Sequence, residues 1–124
     1  MSLARGALFE QRAVRLLRRA GLQVLTQNFR ARPGEIDIIA LHDSYLVFIE
    51  VRARSHGGYA GAAASVDTKK QRRIVATAQC FLQAHPRYSA MPCRFDVIAF
   101  EPRQSALRRR VNWIRGAFPA RGPH

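Results

Sequence analysis

Cysteine is almost absent from this chain of 124 residues: only Cys80 and Cys93 occur, in no CxxC pair and at no spacing to histidine that would frame a metal. No disulfide framework is built from two such isolated thiols, and the expectation is a cytoplasmic protein holding both reduced and buried. Long apolar runs are missing as well. The longest, such as Leu46 to Ile49, cover four residues, whereas about 20 are needed to cross a bilayer. The N-terminus carries Arg5 and Glu10 inside an amphipathic pattern rather than an apolar leader, so neither a membrane span nor a secretory signal is expected. GxGxxG and P-loop strings are absent, no Ser/His/Asp order for nucleophilic catalysis is present, and the four histidines share no ligand spacing. Acid is scarce too, with 8 Asp plus Glu against 21 Lys plus Arg. Lysine is scarcer still, since Lys69 and Lys70 are the only two.

What remains is an apolar, arginine-rich chain. With 48% hydrophobic residues it can build a core without metal or disulfide support, and one domain spanning residues 1–124 is expected. A net charge of +13 on so small a body attracts polyanions, which makes nucleic acid the expected partner. A membrane surface or an acidic protein are the other classes that this charge would suit.

Phe9, Ala13, Leu16, Leu17 and Ala20 mark the stripe of an amphipathic helix over Gly6 to Ala20, with Gly21 placed to cap it. Gln23 to Arg30 alternates as an edge strand, Pro33-Gly34 turns the chain, and Gly34 to Leu41 and Tyr45 to Arg54 stand at hairpin spacing. Ser55 to Val66, rich in glycine and alanine, is expected to be a loop outside the core. A second helix, capped by Asp67 or Thr68, places Ile74, Ala78, Phe81 and Leu82 on one side and ends before Pro86. Arg94 to Phe100 is a further strand, and Val111 to Phe118 is a helix or strand docked on the sheet. The resulting order, α-β-β-β-α-β, describes an α/β fold with a mixed sheet flanked by helices. The aromatic residues, Tyr45 and Trp113 among them, are expected mostly in the core, with Tyr59 in the loop as the one candidate for base stacking.

The hairpin carries the chemistry. An even register sets Leu41 opposite Leu46, Ile39 opposite Phe48, Asp37 opposite Glu50 and Glu35 opposite Arg52, matching apolar to apolar and gathering charge at one end. Carboxylates at Asp37 and Glu50 would then lie with Cβ atoms about 5 Å apart and repel. A shared proton, a nearby arginine or a divalent cation would each relieve them. An ion pair of Arg52 with Glu35 or Glu50 at a sheet edge is the plain alternative. Yet three of the 8 acids meet in this one strand pair of a basic chain, the distribution that a cation site on a phosphate-binding surface requires.

Asp37 with Glu50-Val51-Arg52 resembles the D...(D/E)xK motif of restriction-endonuclease-like nucleases, whose core runs α-β-β-β-α-β. Asn28-x-Arg30, Gly34-Glu35-Ile36-Asp37, FIEVRAR, Ala62 to Val66, Lys70, RFDVIAF, Trp113-Ile114 and Ala117-Phe118 together resemble the YraN-like family of small bacterial proteins, itself similar to archaeal Holliday-junction resolvases. The resemblance covers Gly6 to Phe118. It implies a restriction-endonuclease-like fold, Mg²⁺ or Mn²⁺ held by Asp37 and Glu50 with the Val51 carbonyl as a further ligand, and a symmetric homodimer. It also places Glu10 where resolvase-like nucleases carry an acid on helix one. Glu10 borders the buried stripe, so it points either to the sheet or to solvent. The departure is Arg52, where the motif has lysine: a guanidinium stays protonated and cannot serve as a base. Lys70, one turn before Ile74 and therefore facing inward on helix two, is the candidate substitute, whereas Lys69 faces out with Arg73.

The candidate catalytic set is therefore Asp37, Glu50, Arg52, Lys70 and Glu10, and the candidate nucleic-acid contacts are Arg12, Arg30, Arg32, Arg54, Arg72 and Arg73. Metal-assisted phosphodiester hydrolysis on structured or branched DNA is the expected activity. A non-catalytic nucleic-acid-binding module on the same scaffold and a basic protein-interaction domain are the rivals.

Overall fold

The computed structural model describes residues 3–53, 66–100 and 111–119. Helix α1 spans Leu3–Arg19, three residues longer at its start than the apolar stripe required and one shorter at its end, which leaves Ala20 exposed. Gly21, at φ +92°, closes it: Leu22 N donates to Leu17 O and Gly21 N to Arg18 O, both at 3.0 Å, the paired bonds of a left-handed helix cap. Strands β1 (Gln23–Ala31), β2 (Gly34–His42) and β3 (Tyr45–Ala53) follow as an antiparallel meander. Helix α2 (Thr68–Ala84) begins at Asp67, whose Oδ1 accepts from Lys70 N at 2.8 Å. It carries the chain over the sheet, so that β4 (Cys93–Phe100) pairs with β3 in parallel. Val111–Phe118 is a strand, β5, antiparallel to β4. The sheet order is β1-β2-β3-β4-β5, with β1 on an edge as its weak alternation suggested.

The hairpin register is the even one: Ile38, Ile39, Ala40 and Leu41 face Ile49, Phe48, Val47 and Leu46. One sheet face buries Ile38, Ala40, Val47, Ile49, Ile98 and Phe100 under Phe9, Ala13, Val14 and Leu17 of α1. The other buries Ile36, Ile39, Leu46, Phe48, Phe95 and Val97 under Ile74, Val75, Ala78 and Phe81 of α2. Each such Val, Leu, Ile or Phe side chain contributes about 1.5–3 kcal/mol when fully buried.

Several expectations are corrected. Val66, assigned to the loop, is 1% exposed and packs with α2, because it directly precedes the cap that starts that helix. Cys80 and Cys93 are free, as expected, but only half-buried. Tyr45 lies on the surface, beneath the Arg94 guanidinium at 5.7 Å, where a wet hydroxyl and a cation-covered ring are both accommodated. Trp113 is half-buried for a reason that the sequence did not announce. Its Nε1 donates to the buried Asp96 carboxylate at 3.0 Å, which also takes Arg94 Nε and Nη2 and the Gly116 N–H. Gly116, at φ +60°, turns that N–H inward where the β4–β5 register slips between Phe95 and Val97. Tyr59 and the loop up to residue 65 lie outside the described residues. Among the described residues no helix is long and apolar enough to cross a membrane.

Candidate functional site

A break in β2 makes the site. Strand alternation would place Ile36 and Ile38 on one face, yet Ile36 packs under α2 and Ile38 under α1. The slip falls at Asp37. Opposite it, between the pairs Gln27↔Ile38 and Phe29↔Ile36, stands Asn28 at φ +55°, a left-handed conformation that asparagine tolerates better than most residues. Freed from regular alternation, the Asp37 carboxylate turns across to β3, where its Oδ2 accepts from Val51 N at 2.8 Å. The recorded β2–β3 ladder accordingly runs from His42↔Tyr45 to Ile38↔Ile49, and the side chain of Asp37 takes up the next donor.

Asp37 and the buried Glu50 share a side-chain hydrogen bond, as two carboxyls can when one holds a proton. Burial, then that bond and the Glu50 charge, push the Asp37 carboxyl up to about 8, against the smaller opposing pull of the Val51 N–H and Lys70. Lys70 reaches in from α2, its Nζ 3.0 Å from Glu50 Oε2, the inward aim expected from its place one turn before Ile74. Lys69 is exposed. Glu10 turns toward the sheet: one carboxylate oxygen is bonded by the Asn28 side chain, while Oε1 is buried without a partner. Burial and then the charge of Asp37 raise its pKa. Glu35 is held by Arg30, directly opposite it on β1, at 2.8 Å.

Arg52 is half-buried on β3. Arg32, in the β1–β2 turn, and Arg12, Arg72 and Arg73 on the helices are all exposed; Arg54 lies outside the described residues. Arg73, Lys70, Glu50 and Glu35 line a cleft of about 260 Å³ under the Pro33-Gly34 turn, which brings Arg73 to the acids although its helix position faces outward. Asn28 and Asp96 were missed. The signal for Asn28 was its place in Asn28-x-Arg30; for Asp96 it was an acid within an apolar strand.

The donor set suits a hard divalent cation. Asp37 and Glu50 offer neighbouring oxygen ligands, and the buried, unpartnered Glu10 Oε1, on a carboxyl that feels the Asp37 charge, is a further unsatisfied oxygen. Among the described residues no three His, Cys, Asp or Glu side chains are clustered to hold a metal. Any cation here would rest on the pair, completed by backbone oxygen and water, a composition Mg²⁺ accepts.

Fold and site define an α/β protein in which a mixed five-stranded sheet between two helices presents a carboxylate pair with a lysine from the crossover helix. The sequence pattern described as "Uncharacterised protein family UPF0102" matches residues 9–100, and the chain belongs to this family, the YraN-like one. It is 49% identical over 111 residues to a UPF0102 protein of Alcanivorax borkumensis, covering 88% of this chain and 86% of the relative. A UPF0102 protein of Pseudomonas fluorescens is 42% identical over 109 residues, covering 88% of each chain.

Proposed function

We propose that this protein is a divalent-metal-dependent nuclease of restriction-endonuclease-like fold that acts on structured or branched DNA. The observation that carries the reading is the Asp37–Glu50 pair, brought into contact by the hairpin and met by Lys70 at 3.0 Å beside the cleft that Arg73 lines. Asp37 and Glu50 would hold Mg²⁺ or Mn²⁺, which when bound supplies electrophilic stabilisation to a phosphodiester. The chain's own groups do the rest. Lys70 and Arg73 neutralise the phosphate oxygens as water adds to phosphorus and the bond to the leaving oxygen breaks, that oxygen taking up a proton. Arg52 can stabilise charge there but cannot accept a proton. Arg12, Arg30, Arg32, Arg54 and Arg72 extend the phosphate-binding surface.

A second reading draws support from the same ion pair: Lys70 already neutralises Glu50, and burial beside Glu50 favours the protonated form of Asp37, so the acids also satisfy one another without metal. A nucleic-acid-binding module on a nuclease scaffold would look like this. The two readings part in a cleavage assay with Mg²⁺ and Mn²⁺ on linear, flapped, four-way-junction and RNA substrates, run beside calorimetry of the cations. The nuclease reading expects cation binding that Asp37→Asn abolishes, slow cleavage that Arg52→Lys keeps or raises, and loss of rate in Lys70→Ala. No cleavage by wild type or Arg52→Lys with either cation leaves the binding module.

A further inference from the structure

Arg30 and Lys70 are each paired with a carboxylate. Among the described residues no carboxylate pairs with Arg12, Arg15 or Arg19, although they stand three and four positions apart, where like charges on a helix repel. The helix C-terminus relieves only its last turn. These three guanidinium groups border a groove of about 220 Å³ whose wall is apolar: Leu16, Phe100 and the 45% exposed Val111. The groove opens toward β4 and β5. Glu10, on the same helix, faces Asn28 and Asp37 on β1 and β2, so the groove and the acid site occupy opposite flanks of α1.

We propose that this groove seats an unpaired stretch of nucleic acid, phosphates on Arg12, Arg15 and Arg19 and a base against Leu16 and Val111. The inference rests on the nucleic-acid reading above and adds the substrate class to it. A blunt duplex offers the arginines phosphates but hides its base faces in the stack, leaving the apolar wall uncovered. An unpaired strand supplies both surfaces, the combination of basic track and apolar platform by which single strands are held. Arg12 to Arg19 spans about 10 Å of helix, a run long enough for successive phosphates. With one segment at the acid cleft and another across α1, the fitting substrate is a duplex from which a single strand diverges.

The test is fluorescence anisotropy at fixed salt, using a blunt DNA duplex and the same duplex with a single-stranded tail. Wild type should prefer the tailed form by about tenfold, one base contact's worth. Arg15→Gln/Arg19→Gln should weaken the tailed form more than the blunt duplex and so erase that preference. Val111→Gln should erase it as well, without changing the charge. The inference is overturned if wild type binds both forms equally, if the variants lose blunt and tailed affinity alike, or if they weaken only an acidic peptide or anionic vesicles. Wild type that binds neither DNA overturns the nucleic-acid reading along with it, whereas binding without tail preference overturns this inference alone.

Discussion

Asp37 is the residue on which stability and the proposed chemistry meet. Its carboxyl holds a proton more tightly in the folded protein, up to about 8, than in the unfolded chain, where aspartate titrates near 4. The stability this contributes is complete below pH 4 and is lost as pH rises through 8. In the absence of divalent cations, Tm should therefore fall by roughly 5 °C or more between pH 5 and pH 9 in wild type. Asp37→Asn keeps an oxygen for Val51 N and can donate to Glu50, so it should flatten that slope in differential scanning calorimetry and raise Tm at pH 9. Glu10, raised in the same direction, leaves a residual slope. If Asp37 and Glu50 hold a cation, Mg²⁺ should restore wild type at pH 9 and do nothing for Asp37→Asn. An Asp37→Asn profile parallel to wild type would show that the two carboxyls share no proton.

At the scale of elements, periodicity was legible wherever a single face is buried. The α1 stripe, the hairpin register and the Asp67 cap all follow from patterns that local physics imposes within a few residues. The site was legible in part: spacing brought Asp37 and Glu50 together, and helical phase aimed Lys70 inward. What stayed hidden depends on partners distant in sequence. The slip at Asp37 needs Asn28 across the β1–β2 pair, and a proline-glycine turn does not reveal which residue opposite it will adopt positive φ. Asp96 is likewise defined by Trp113 and Gly116, 17 and 20 positions on. That network makes β5 an integral strand. Asp96→Ala would leave the Arg94 guanidinium, 17% exposed, without its carboxylate, and should cost about 3 kcal/mol in chemical denaturation. Gly116→Ala, which keeps the network but strains the φ of +60°, should cost about 1 kcal/mol. Equal costs would place the stabilisation in the backbone turn and not in the carboxylate.

For the whole molecule the proposed partner is tested through the net charge. A body carrying +13 should bind nucleic acid with affinity that collapses on adding salt. Engagement of 6–10 phosphates predicts a loss of roughly 10³ to 10⁵ between 50 and 200 mM, measurable by anisotropy. A flat response would mean that the arginine surface does not meet phosphates.

The parallel pairing of β3 with β4 has a consequence for the order of assembly. Leu41 and Leu46 close a short turn, whereas Leu46 and Cys93 meet only after 47 positions of chain have been looped back. Loop closure entropy makes the first contact fast and the second slow. Asp37 and Glu50 both belong to the early hairpin, but Lys70 travels on the late crossover. The two acids therefore meet before their counter-charge arrives, and during that interval they repel unless a proton or a cation already stands between them. The folding rate of this protein should thus carry the imprint of its site, faster where the hairpin acids are neutralised and slower where they are bare.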